Sequence, residues 1–239
     1  MVNATSATTS ASYSWLPVVP PVCQPPERPK VVNEYHQIWG DPHLQDVKGT
    51  NVEDQIEANK DVLLLKTDDG ASITGHTTSF DNPELRAQEG HDITVFDKEV
   101  VSLGDGQKIL FNSDGTAYHV DANGNLGAAL KDGESVHSGK DANDYVTYSA
   151  TNRTLNFNFN GADGSNQNGL LTGLIDPRGN YINTGVSESG TQAYGFVPAL
   201  KADFTGVTVD SQTGAGAFDP NNGVEVSNKD FYVDGLYNQ

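Results

Sequence analysis

The residues with the clearest chemical potential are Trp39-Gly40-Asp41-Pro42-His43. An Asp-Pro peptide is the weakest ordinary link in a chain. The Asp41 carboxylate can reach its own carbonyl carbon through a five-membered ring. Attack there breaks the C–N bond to Pro42 and leaves a cyclic anhydride at Asp41, which water then opens. The tertiary amide of proline has a comparatively basic nitrogen, which eases its departure. No second nucleophile is required, and intramolecular attack in a held geometry reaches effective molarities of about 10⁵–10⁸ M. At neutral pH three things must be supplied: an aimed carboxylate, a stabilised oxyanion and a proton for the leaving nitrogen. A divalent cation would serve the oxyanion. His43, with an ordinary pKa of about 6.5, would serve as proton donor. Gly40 permits unusual backbone angles before Asp41, and Trp39 would anchor the segment and exclude water.

The simpler account of the same string is a turn, because Asp and Pro both favour turns. Two other Asp-Pro pairs occur, Asp176-Pro177 and Asp219-Pro220. Neither is preceded by Gly or followed by His, which singles out Asp41.

The elements that would position this bond follow from the wider pattern. Residues 1–37 read as a disordered leader, Ser/Thr-rich at first and then carrying Pro17, Pro20, Pro21, Pro25, Pro26 and Pro29. Such a run is extended and poor at packing. Residues 38–239 read as one metal-binding β domain. Hydrophobic residues make up 36% of the chain and Gly numbers 25, a turn-rich composition that favours short strands. Strands are expected at Val62 to Thr67, Ser72 to Phe80, His91 to Leu103, Lys108 to Phe111, Thr116 to Val120, Tyr145 to Ser149 and Thr154 to Asn160. In the last, Leu155, Phe157 and Phe159 alternate with polar residues, so one face is buried and one wet. A short helix is expected over Glu53 to Lys60. The spacing predicts an all-β fold, an antiparallel β-sandwich of many short strands with at most one or two short helices.

The formal charge of −18 makes nucleic acid and anionic membranes poor partners. It suits divalent cations, which take carboxylate and carbonyl oxygens. No stretch approaches the ~20 apolar residues of a membrane span. Cys23 is the only cysteine, so no intrachain disulfide forms. The N-terminus lacks the basic and apolar regions of a cleavable signal, and its polar Ser/Thr-rich start is compatible equally with type III secretion and with a disordered cytoplasmic tail. His76, His91, His119 and His137 lack zinc spacing. Asp121, Asn123 and Asn125 resemble the opening of an EF-hand, but Gly124 falls in the wrong place.

Trp39-Gly40-Asp41-Pro42-His43 resembles the cleavage motif of the metal-ion-inducible autocleavage domain, found in type III-secreted nodulation effectors and related bacterial proteins. The same Gly-Asp-Pro-His string opens von Willebrand factor type D domains. A looser match, from Gly169 to Asn180, is similar to a type D segment whose acidic/Asn turn holds calcium in some members. Those extracellular domains are cysteine-rich and this chain is not, which favours the bacterial family. The resemblance implies activation by Ca²⁺ or Mn²⁺ and cleavage after Asp41. Asp41 and Asp46 lie near the bond, and Asp176, Asn180 and Asn183 supply oxygens in or near the second match; these five are the candidate metal ligands. The expectation is a secreted, monomeric effector, exported without a signal peptide into host cells, where it would act in virulence on a host protein that the sequence does not name. The alternative is a non-catalytic, calcium-binding adhesion module. A carbohydrate-binding or glycoside-hydrolase sandwich comes third, with no evident carboxylate pair and only two Trp for sugar stacking.

Overall fold

The computed structural model describes residues 30–39, 43–45, 51–53, 56–90, 92–191, 193, 195, 217–219, 224–226 and 231–237. The strands run in chain order as β1 Lys30–Trp39, β2 His43–Gln45, β3 Asn51–Glu53, β4 Asp61–Lys66, β5 Ser72–Ser79, β6 Thr94–Ser102, β7 Lys108–Asn112, β8 Ala117–Val120 and β9 Leu126–Ala129. They continue as β10 Ser135–His137, β11 Tyr145–Ser149, β12 Thr154–Asn160, β13 Asn166–Leu174, β14 Tyr181–Thr191, β15 Ala217–Asp219, β16 Val224–Val226 and β17 Tyr232–Val233. Among the described residues one helix, α1, spans Pro83–Glu89.

The chain is an all-β, antiparallel structure. One sheet has the order β10-β11-β12-β13-β14-β1-β2-β3, the other β17-β4-β5-β6-β7-β8-β9, and β15 pairs with β16. The two large sheets share one apolar core. Leu64, Phe96, Val101 and Phe111 from one sheet are buried with Ile38, Leu155, Phe157 and Val186 from the other. The expected alternation in β12 holds, with Leu155, Phe157 and Phe159 buried and Asn156 exposed.

The Asp-rich connections are hairpin turns closed by their own carboxylates. Asp105 accepts from the amide of Gln107, and Asp114 from that of Thr116. Asp121 accepts from the amides of Asn123 and Asn125 and from Asn125 Nδ2, so this stretch forms a turn between β8 and β9. Short polar side chains that bond the backbone two residues on favour such turns.

Two expectations need correction. The helix expected over Glu53 to Lys60 is not formed by the described residues of that span. Glu53 ends β3, and Asn59 turns with φ 59°. The carbonyls of Glu57 and Lys60 accept from the Thr77 hydroxyl, and Lys60 also accepts from the Thr77 amide. That backbone is committed to β5 and unavailable to a helix. The helix forms instead at Pro83–Glu89, where Asn82 Oδ1 accepts from the amide of Leu85 and Gly90 closes the far end at φ 78°. Second, Lys30 to Gln37 belong to β1, so sheet structure begins inside the segment expected as leader; residues 1–29 lie outside the described residues.

Candidate functional site

Trp39 ends β1 and His43 begins β2, and the two are register partners. Gly40, Asp41 and Pro42, which join them in sequence, lie outside the described residues, as does Asp46. The strand leading to this point is held firmly. β1 is paired along one edge with β14 and along the other with β2. Ile38, just before Trp39, is 1% exposed and is the register partner of Thr184.

Because β1 and β14 are antiparallel, the Trp39 end of β1 lies at the Tyr181 end of β14. Leu174 and Tyr181 are register partners, so residues 175–180 form the β13–β14 connection at that same end. The structure therefore brings the second sequence match to the end of the sheet that carries Trp39 and His43. Asp176 and Asn180 lie in the connection, and Asn183 lies in β14, paired with Thr172 and one residue before Thr184. The connection is backed by apolar packing. Tyr181 meets Phe80 edge-on, ring centroids 6.1 Å apart, with Ile93, Val95 and Leu85 of α1 in the same cluster.

Asp176 is already engaged. Its Oδ1 accepts from the amide and Nε of Arg178, at 2.9 and 2.8 Å, and its Oδ2 from Nη2 at 3.0 Å. The Arg178 side chain, then its amide, hold the Asp176 carboxyl down at about 2. Such forked pairing is the geometry Arg favours with carboxylates. A cation at Asp176 would have to displace this guanidinium. Among the described residues no group of three or more His, Cys, Asp and Glu side chains is arranged to hold a metal. The imidazoles have other partners: His76 Nδ1 meets Asp61 at 2.7 Å, His119 Nε2 meets Glu134 at 3.2 Å, and His137 Nδ1 meets the carbonyl of Ala142 at 2.8 Å. His91 lies outside the described residues.

Three buried carboxyl groups, Glu99, Asp144 and Glu188, were not anticipated from the sequence. Glu99 on β6 is 0% exposed, and burial pushes its pKa up to about 8 despite a hydrogen bond from Thr184. Its Oε2 has no hydrogen-bond partner. Asp97, Lys98 and Glu99 all lie between Phe96 and Val100, so the sequence does not single out Glu99 as the buried one. Asp144, at the opposite end of the sandwich, is raised to about 7, first by burial and then by Asp69 and Asp141, although the amide of Asn160 donates to it. Comparison with models of protein families gives no match for this chain, and comparison with curated proteins gives none.

Proposed function

We propose that this chain cleaves its own Asp41–Pro42 peptide bond once, in response to a divalent cation. The observation that carries the proposal is the register pairing of Trp39 with His43. It holds both flanks of the three residues that contain the Asp41–Pro42 bond in a sheet. The Asp41 carboxylate oxygen attacks the Asp41 carbonyl carbon, the bond to the Pro42 nitrogen breaks, and His43 delivers a proton to that nitrogen. Water then opens the anhydride, leaving a C-terminal Asp41 and an N-terminal Pro42.

The proposed donors are Asp41, Asp46, Asp176, Asn180 and Asn183. All are oxygen donors, which fits Ca²⁺ or Mn²⁺ better than a metal that prefers nitrogen and sulfur. Asp176 and Asn180 share one connection at the Trp39 end of the sheet, which supports grouping them. A bound cation would contribute positive charge toward the oxyanion. Membership in the metal-ion-inducible autocleavage family, secretion as an effector and action in host cells are parts of the same proposal and rest on the motif.

The test is intact mass spectrometry of purified protein in EDTA, Ca²⁺, Mn²⁺ or Mg²⁺. Fragments ending at Asp41 and starting at Pro42, formed only with metal and absent in Asp41→Ala, are expected. An intact chain in every ion, with only a rise in melting temperature, would favour the second reading. In that reading the Trp39–His43 pairing marks an ordinary hairpin in a calcium-binding module.

A further inference from the structure

We infer that the outer face of the β10–β14 half of its sheet is a binding site for an extended, neutral polysaccharide. The inference is independent of self-cleavage. The opposite faces of these strands enter the core through Val136, Val146, Leu155, Leu171 and Val186. The outward positions, alternating with them, carry no Asp, Glu, Lys or Arg. That absence is unexpected in a chain of charge −18, and the other sheet does not share it: Asp61, Lys66, Lys98 and Lys108 stand at its solvent-accessible positions.

The register lines up one row across five strands. His137 pairs with Tyr145, Tyr145 with Asn158, Asn158 with Asn168, and Asn168 with Ser187. At the usual strand spacing this row runs about 19 Å. The His137 and Tyr145 rings lie 5.3 Å apart at its outer end and offer an apolar plate to sugar C–H groups. Beside the row Leu170 is 37% exposed and adds a second small apolar surface.

The amides are held in place before any ligand arrives. Asn158 Nδ2 and Asn160 Nδ2 both donate to the carbonyl of Asn143, at 2.7 and 3.1 Å. Asn166 Nδ2 donates to Asn158 Oδ1 at 3.0 Å and to Asn160 Oδ1 at 2.8 Å. Each carboxamide carries two donor hydrogens and two acceptor lone pairs. Asn158 Nδ2 therefore keeps one N–H available after its bond to Asn143. Side chains ordered in advance reduce the entropy lost on binding.

The chemistry of the face selects the ligand. Phosphates and nucleic acid need cationic side chains, and the strand positions of the face have none; its carboxylates, Asp132 beside Ser149 and Asp163 beside Thr191, stand in loops at its rim. A protein partner of ordinary interface composition needs a larger apolar centre than Leu170 and one ring pair supply. A second copy of the chain brings another −18 charges into proximity. Hydroxyl groups both donate and accept, as carboxamides do, and a neutral glycan is indifferent to the protein's charge.

The test is native gel electrophoresis through hydroxyethyl cellulose, xyloglucan or dextran, with polygalacturonate as the anionic comparison. It uses the Asp41→Ala chain, so that failure of self-cleavage does not bear on the result. Retardation by at least one neutral polymer and none by polygalacturonate is expected. Asn158→Asp with Asn168→Asp, shown to be folded by circular dichroism, should weaken the retardation about tenfold or more. Free migration in all three neutral polymers overturns the inference. So does retardation that the double variant leaves unchanged, or a dimer in sedimentation velocity that the double variant dissolves.

Discussion

Thr184 on β14 donates its hydroxyl to Glu99 Oε1 on β6 at 2.5 Å, a polar tie between the two sheets. Thr184 is also the register partner of Ile38, so the tie lies beside the strand that ends at Trp39. Glu99 is fully buried and its pKa is raised to about 8 by burial. An unfolded chain would titrate this group near the ordinary glutamate value of 4.5. The folded state therefore binds this proton more tightly. Its stabilising effect is complete below the unfolded value, declines as pH rises, and is gone above about 8. The decline is about 1.4 kcal/mol per pH unit within that window. In Glu99→Gln, which keeps an acceptor for Thr184, that part of the pH dependence should vanish. Urea unfolding at pH 5, 7 and 9 tests it. Asp144 has the same sign of shift, so the comparison must be between Glu99→Gln and the parent chain at each pH. A constant difference between the two would refute the assignment.

Gly173 marks where the two sheets approach most demandingly near the β7–β8 turn. A Cβ there would lie 2.8 Å from the Gly115 amide nitrogen and 2.9 Å from Gly115 Cα. Those are backbone atoms and cannot swing aside. Gly173→Ala should therefore cost about 1–3 kcal/mol, as overpacking does. Thr172→Ala, one residue away and half-buried, should cost less. Melting temperatures of the two variants decide the matter; equal losses would mean that the contact is not limiting.

Asn82 caps α1 through Oδ1 and is itself buried. Asn82→Ala should cost about 0.5–2 kcal/mol, and Asn82→Asp should recover most of it. Thermal unfolding of the pair provides the comparison. Loss of equal size in both would show that packing around Asn82, and not the cap, is responsible.

The legible parts of the fold were those with strong alternation. Tyr145 to Ser149 and Thr154 to Asn160 appear with the boundaries that their sequence suggests. β13 and β14 carry no clear strand signal in the sequence. Their inward positions include Gln167, Gly169, Gly173, Thr184 and Glu188, which blur the apolar period. Gly169 is required because a Cβ would lie against the Gly185 carbonyl oxygen and Phe157, a constraint that only the assembled sheet imposes. Helix α1 carried a readable signature, Asn82-Pro83-Glu84 followed by Gly90, but its seven residues show too little periodicity to stand out. For the site, the Asp-Pro chemistry is local and therefore visible in sequence. The proximity of the 175–180 connection to the Trp39 end depends on β14 pairing with the first strand, a long-range event that no local pattern encodes.

The Arg178–Asp176 fork offers a decisive check on the proposed metal ligands. If Asp176 contributes oxygen to the cation, Arg178 competes for the same lone pairs, since it engages both Oδ1 and Oδ2. Removing the guanidinium leaves an acidic side chain without its counterion. Arg178→Ala should then lower the Ca²⁺ concentration that gives half-maximal cleavage, and also the concentration that half-maximally raises the melting temperature. Asp176→Asn should raise both. The opposite result, with neither variant shifting either midpoint, would leave Asp176 as a turn residue held by its own arginine. In that event the ligands would have to be sought closer to the bond, at Asp41 and Asp46. Measuring melting midpoints as well as cleavage keeps the two questions apart, because a cation can bind at this end of the sheet whether or not the Asp41–Pro42 bond breaks.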